Sequence, residues 1–113
     1  MVTIDKLKDF GADTAEGIAR CAGKESLYLR LVGTIPQNKT FAALYDAVSA
    51  GDCEAAFQAA HGLKGALGNL SLKPLYEPVL TLTEKLRGGD MQDTELLITE
   101  IETKRKELEE LCL

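Results

Sequence analysis

The chain has 113 residues, enough for one domain with a sizeable core, and 45% of them are hydrophobic. Its formal net charge of −5 argues against non-specific binding to nucleic acid, which needs a basic surface. With three cysteines, one histidine and no CxxC motif, it matches neither a disulfide framework nor a zinc site. We therefore expect a single domain over residues 1–113, without a metal or cofactor site of its own.

The sequence lacks the signals of a membrane or secreted protein. No apolar run approaches the roughly 20 residues that a membrane-spanning helix needs. The first residues, Met1 to Lys6, lack the apolar stretch of a signal peptide. These observations predict a cytoplasmic protein that has no membrane partner.

Two short helices are predicted at the N-terminus, over about residues 3–22. Thr3 is suited to cap a first helix that ends near Gly11. Asp13, followed three residues later by Glu16, resembles a capping box at the start of the second helix.

The next segment carries two helical stripes of apolar residues on either side of Pro36. The first stripe contains Tyr28, Leu31, Val32 and Ile35, and the second contains Phe41, Leu44, Tyr45 and Val48. The second stripe is shifted in phase relative to the first, and Pro36 interrupts the pattern. The residues leave two interpretations open, which are two helices or one sharply kinked helix.

A longer helix is predicted from about Cys53 to Leu70, since Asp52 suits its N-cap directly after Gly51. At about 100° per residue, a single face of this helix collects the apolar residues Ala56, Ala60, Leu63, Leu67 and Leu70. His61, the only histidine in the chain, points away from that face. The lone imidazole is therefore predicted to face water.

The same exposed side carries further residues around the histidine, namely Phe57, Gln58, Lys64, Gly65 and Gly68. Each glycine costs about 1 kcal/mol relative to alanine in a helix interior. The missing side chains at Gly65 and Gly68 leave the imidazole open to a bulky partner. Lys64, three residues after His61, can place its ammonium near a group attached to the ring.

Two more helices complete the predicted fold. A turn near residues 71–74 leads into a helix with the apolar seam Leu75, Val79, Leu82 and Leu86, which ends at Gly88-Gly89. Asp90 or Asp93 is predicted to cap the last helix, whose buried stripe contains Leu97, Ile101, Leu108 and Leu111. Its charged residues from 100 to 110 indicate a solvated face with i,i+4 pairs, the alternative being a dimerising coiled coil. We expect a monomer.

The expected fold is all-α: an antiparallel four-helix bundle over about residues 24–112, preceded by the short N-terminal helices. Short loops between the last three long helices make them up-and-down neighbours. No strand-like alternation and no internal repeat is visible in the sequence.

The histidine region resembles a known signature. The motif His61-x-Leu63-Lys64-Gly65, continued by Ala66, Gly68, Asn69 and Leu70, is similar to that of the histidine-containing phosphotransfer (HPt) domain family. A weaker likeness extends over most of the chain. The resemblance implies one continuous kinked element at Pro36, and N-terminal helices that form a lid over one end of the bundle.

The resemblance also implies a function. His61 would accept a phosphoryl group from a receiver-domain aspartate and pass it to another receiver in a phosphorelay. Lys64 would stabilise the phosphoryl charge, and the residues that admit and dock the partner would be Phe57, Gln58, Gly65, Gly68 and Asn69. The partners would be response-regulator receiver domains and a hybrid sensor histidine kinase, with Mg²⁺ bound on the receiver.

No Gly-rich nucleotide loop is present, so we expect a phosphoryl carrier rather than an autonomous enzyme. The alternative is a non-catalytic helical adaptor that binds a receiver or kinase without phosphotransfer. The two are distinguished by whether His61 is needed for the biological output.

The second ring nitrogen of His61 needs an orienting neighbour. If the turn after this helix centres near Leu72, Thr83 on the next helix lies level with His61. Many members of the family have Gln or Glu at this place, and here Thr83 is followed by Glu84. The sequence leaves open whether Thr83, Glu84 or water orients the ring.

Overall fold

A computed structural model describes all residues from 1 to 113, and it confirms the all-helical class. The chain is 73% helical and has no strands. Its seven helices are α1 (Ile4–Phe10), α2 (Thr14–Arg20), α3 (Glu25–Thr34), α4 (Thr40–Ser49), α5 (Cys53–Asn69), α6 (Lys73–Arg87) and α7 (Glu95–Leu111). None of them combines the length and the apolar character needed to span a membrane.

The two N-terminal helices begin at their predicted caps. The Thr3 side chain accepts the backbone N–H of Lys6, and the Asp13 carboxylate accepts that of Glu16. The second half of the expected capping box is absent, because the Glu16 carboxylate accepts the hydroxyl of Ser71 at 2.7 Å instead. Glu16 therefore links α2 to a distant part of the chain rather than closing its own first turn.

The segment around Pro36 forms two separate helices, α3 and α4, so the continuous kinked element implied by the resemblance is wrong. Proline has no backbone N–H, so Pro36 cannot continue the hydrogen bonds of α3, and the helix ends with Ile35 as its C-cap. The new helix begins at Thr40 with Lys39 as its N-cap, and the Asn38 side-chain oxygen accepts the N–H of Thr40 at 2.9 Å. The Pro36 carbonyl is held by the Arg105 guanidinium at 2.9 Å, which fixes the connection against α7.

The four helices after this connection pack in chain order. Helix α4 packs on α5, α5 on α6, and α6 on α7. The predicted seam of α6 is fully or almost fully buried, as are Ile101 and Leu108 of α7. Between α4 and α7, the Tyr45 hydroxyl donates to Glu102 at 2.9 Å. The hydrogen bond from Arg105 holds the pKa of the Glu102 carboxyl below its ordinary value, so Glu102 remains an acceptor.

The start of α7 differs from the prediction. Neither Asp90 nor Asp93 caps it; the N-cap is Thr94, without a side-chain hydrogen bond. The Asp90 carboxylate instead accepts the N–H of Gln92 at 2.9 Å and pairs with Lys85 at 3.0 Å. These local partners keep Asp90 within the turn that follows α6, and the helix begins later.

The N-terminal helices lie against the turn between α5 and α6. The N–H of Asp13 donates to the Ser71 carbonyl at 3.0 Å, and the buried Tyr28 hydroxyl donates to the Leu70 carbonyl at 2.9 Å. Burial raises the pKa of Tyr28 to about 12, so this hydroxyl stays protonated at neutral pH. Helix α1 packs on α2 and α7. The carbonyl groups of the turn after α5 thus accept hydrogen bonds from the N-cap of α2 and from a side chain of α3.

Gly17 is the point at which α2 approaches the α5–α6 turn and Tyr28 most closely, and its substitution tests this packing. A Cβ at Gly17 would lie 2.8 Å from the Leu70 carbonyl oxygen and would overlap the Tyr28 ring. We expect Gly17→Ala to lower the free energy of unfolding by about 1–3 kcal/mol, measured by denaturant titration followed by circular dichroism. The matched control is Gly33→Ala in α3, where a Cβ meets no atom within 4 Å; this variant should gain up to about 1 kcal/mol. Equal stability of the two variants would contradict the docking of α2.

Candidate functional site

Helix α5 presents one face to the core and the opposite face to solvent. Its N-terminus is capped as predicted, because the Asp52 carboxylate accepts the N–H of Ala55 at 3.0 Å. The predicted apolar face is buried along its whole length, at Ala56, Ala60, Leu63, Leu67 and Leu70. His61 is exposed on the other side, so its predicted orientation is confirmed.

The His61 ring stands on Phe57, one helical turn earlier. The ring centroids are 5.7 Å apart and the planes are inclined by 23°, which is a stacked arrangement. The guanidinium carbon of Arg87 on α6 lies 5.1 Å from the centroid of the Phe57 ring. Arg87 is itself paired with Glu84 at 3.3 Å. Phe57, expected as a docking residue, is therefore half-buried and already engaged by His61 and Arg87.

Thr83 and Glu84 were the candidates for orienting the imidazole, and the structure engages both elsewhere. Thr83 is fully buried, and its hydroxyl donates to the Val79 carbonyl at 2.7 Å within α6. Threonine in a helix commonly makes this bond to the carbonyl four residues earlier. Neither Thr83 nor Glu84 is hydrogen-bonded to His61. In this arrangement, the ring is held by stacking and not by a hydrogen bond from α6.

The two glycines on the exposed side have different surroundings. A Cβ at Gly65 would meet no atom within 4 Å, so the surface beside the imidazole is open there. A Cβ at Gly68 would lie 3.0 Å from the ring of Tyr76, so the missing side chain makes room for that ring. The open approach thus comes from Gly65, whereas Gly68 allows Tyr76 of α6 to pack closely on α5.

The remaining predicted residues lie on the same helix. Gln58 and Asn69 are exposed, and Lys64 is half-buried without an ion-pair partner. Lys64, Gly65, Gly68 and Asn69 form one side of a groove of about 330 Å³ that runs from the histidine helix to α2. The groove's other lining residues are Glu16, Arg20, Ser71, Lys73 and Tyr76. We call this surface the α2–α5 groove.

Two features of the site were missed by sequence reasoning. Arg20 of α2 reaches the site only because the N-terminal segment folds back onto the α5–α6 turn, and no local pattern signals that contact. Arg87 had a usable signal, since Phe57 and Arg87 are equally far from Leu72 along the hairpin. The count that placed Thr83 level with His61 also places Arg87 level with Phe57.

The site contains no evident means of holding a metal ion. The structure has no group of three or more His, Cys, Asp or Glu side chains arranged to hold one. The three cysteines are free thiols, and Cys21 is buried. The site does contain an exposed imidazole, that of His61, and the unpaired ammonium of Lys64 one turn away.

A comparison with protein families identifies this part of the chain. The family model described as Hpt domain matches residues 37–112, which include α4 to α7 and His61. The matched segment leaves α1, α2 and α3 outside it. No curated protein and no solved structure matches the chain.

The stacking of His61 on Phe57 can be tested directly in solution. Because the chain has one histidine, its ring resonances are assigned without ambiguity. The Phe57 ring current should move the imidazole carbon-bound protons upfield, and Phe57→Leu should return them towards the values of an exposed histidine. Proton–carbon correlation spectra measure the shift. Gln58→Ala, a neighbouring exposed change, is the control; identical histidine resonances in wild type and Phe57→Leu would show that the rings do not stack.

Proposed function

The chain belongs to the Hpt domain family, whose members carry phosphoryl groups on histidine in phosphorelays, and we propose that its carrier group is His61. This imidazole is the only one in the chain. Its exposure on α5, opposite the buried face, is the observation that carries the proposal. A phosphoryl group bound there is accessible to a second protein without any movement of the fold.

In the proposed reaction, a neutral ring nitrogen of His61 attacks the phosphorus of a receiver's phospho-aspartate. The nitrogen–phosphorus bond forms as the acyl phosphate P–O bond breaks, and the aspartate leaves as a carboxylate. The carboxylate of a second receiver reverses these events. The outer ring nitrogen is the expected acceptor by resemblance to the family. Catalysis then consists of positioning and charge stabilisation, with Mg²⁺ supplied by the receiver.

The neighbours of His61 support roles in this reaction. The unpaired Lys64 ammonium is placed to neutralise charge on the phosphoryl oxygens. The open surface at Gly65 gives the receiver's active-site loop room to approach. Gln58 and Asn69 are exposed on the same helix and are proposed contacts of the docked partner.

We also infer that α4 to α7 form an antiparallel four-helix bundle. The sequential packing of the four helices and the hydrogen bond between Tyr45 and Glu102 support a closed arrangement. In this proposal the protein acts as a monomer in the cytoplasm. Its partners are response-regulator receiver domains and a hybrid sensor histidine kinase.

One observation favours a second candidate function. The place that holds Gln or Glu in many family members holds Thr83, and its hydroxyl is engaged with the Val79 carbonyl. Without a hydrogen bond to one ring nitrogen, the other is a less well-oriented nucleophile. The second candidate is therefore an adaptor that binds a receiver without accepting its phosphoryl group.

Phosphoryl transfer to the purified protein distinguishes the two functions. The protein is incubated with Mg²⁺ and a panel of receiver domains charged by acetyl phosphate, and is followed by intact mass and phosphorus NMR. We expect an acid-labile adduct of about 80 Da with a phosphoramidate shift. His61→Gln should abolish it while leaving the helical spectrum unchanged, because the side chain is exposed. Labelling that persists in His61→Gln would refute the assignment, and receiver binding without any adduct would favour the adaptor.

The clearance at Gly65 has a matched control in the same helix. Gly62 and Gly65 are both exposed, and a Cβ at either meets no atom within 4 Å. Gly62→Gln and Gly65→Gln should therefore each raise the free energy of unfolding by up to about 1 kcal/mol. Only Gly65 shares the face of His61, so we expect Gly65→Gln alone to slow phosphotransfer by about tenfold or more. Equal rates for the two variants in a stopped-flow assay would show that Gly65 does not provide the clearance.

A further inference from the structure

The α2–α5 groove concentrates positive charge in an acidic protein. Three of its lining residues are basic, Arg20, Lys64 and Lys73, and one is acidic, Glu16. The whole chain has a formal net charge of −5. The groove is therefore a local site of opposite sign, and Lys64 connects it to the face that carries His61.

The basic side chains of the groove are available to a partner. Lys64 has no ion pair, and the other two pairs are long: Arg20 lies 3.6 Å from Glu16 and Lys73 lies 3.9 Å from Asp13. The side chains of Arg20 and Lys73 are 52% and 55% exposed. Exposed pairs of this kind contribute about 1 kcal/mol or less. A carboxylate from another protein can thus replace the internal partners at little cost.

The wall of the groove formed by α2 is held in place before any partner arrives. Two hydrogen bonds connect α2 to the turn after α5. The backbone N–H of Asp13 donates to the Ser71 carbonyl, and the Ser71 hydroxyl donates to the Glu16 carboxylate at 2.7 Å. Close packing at Gly17 adds a steric constraint. The backbone of α2 is therefore fixed beside α5, and the groove carries basic side chains on two walls, Arg20 on one and Lys64 and Lys73 on the other.

We propose that the α2–α5 groove binds an acidic surface segment of the receiver domain that docks over His61. This inference rests on the proposed function and deepens it, because it assigns partner selection to residues beside the acceptor. Charges at the rim of an interface act mainly on association rate and on the choice of partner. Arg20 lies outside the matched segment 37–112, so the family match does not account for this contact.

Binding is tested separately from phosphotransfer by using the His61→Gln protein as the parent. The isotope-labelled parent is titrated with each uncharged receiver domain of the panel in the presence of Mg²⁺, and backbone amide shifts are followed by NMR. We expect the binding receivers to shift amides of α2 and of the Ser71–Lys73 turn together with those around position 61. Receivers that shift α5 but leave α2 unchanged, or a panel in which none shifts the groove, would overturn the proposal.

Charge reversal then measures the contribution of the groove. In the same parent, Arg20→Glu and Lys73→Glu should each raise the receiver Kd by about five- to tenfold, with a smaller difference at high salt. In the protein with His61 intact, the change should fall on KM more than on the rate at saturation. Lys106→Glu, an equal charge change on the exposed surface of α7, is the control and should leave Kd and transfer unchanged.

The outcomes separate this proposal from the proposed function. If the receiver Kd rises as expected but no phosphohistidine forms, the groove proposal is supported and the proposed phosphotransfer role is wrong. If transfer to His61 occurs but Arg20→Glu and Lys73→Glu behave like Lys106→Glu, the groove proposal is wrong. Arg20→Gln and Lys73→Gln, which remove charge without adding a carboxylate beside Glu16 or Asp13, should give intermediate values.

Discussion

The burial of one face of α5 is the constraint on which the rest of the site depends. Ala56 and Ala60 are small and fully buried, so α4 and α6 can approach the helix closely while Leu63 and Leu67 fill the core. When that face is buried in the core, the helical period places the His61 side chain on the opposite, solvent-facing side. Lys64 and Gly65 follow at the next turn for the same reason. The exposure of the His61 imidazole is thus a consequence of core packing.

The features that could be predicted from the sequence are those determined within a few residues. The caps at Thr3, Asp13 and Asp52 and the direction of His61 belong to this class, since each follows from one helix's own spacing. The start of α7 is also determined locally, but several local partners were available to Asp90, and it bonds to Lys85 and Gln92 instead of capping the helix. At Pro36, the residue pattern left two helices open, whereas the family resemblance favoured the wrong alternative.

The parts of the site that escaped sequence reasoning depend on contacts between distant segments. Counting residues along the hairpin placed Thr83 at the same height as His61. Residues at the same height on two helices need not have side chains that face each other, and the Thr83 side chain is buried in the core. Arg20 enters the groove only through the docking of α2 on the turn at Ser71, which joins residues far apart in the chain. Phe57 lies on the exposed side of a helical wheel, and the resemblance implies a docking role for it, but neither shows a neighbour from another helix such as Arg87.

The way in which the imidazole is held has a consequence for the proposed chemistry. A carboxylate or amide that accepts from one ring nitrogen selects a single tautomer and so leaves the lone pair on the other nitrogen. An aromatic ring beneath the imidazole restricts its tilt but interacts similarly with both tautomers. Because the Thr83 hydroxyl is bonded to Val79, only Phe57 orients the imidazole within the fold, and in the proposed reaction the reactive tautomer is selected by groups from outside it. In the proposed reaction, transfer at His61 therefore depends more strongly on how the receiver is oriented, and this gives the proposed basic groove beside the acceptor a direct part in it.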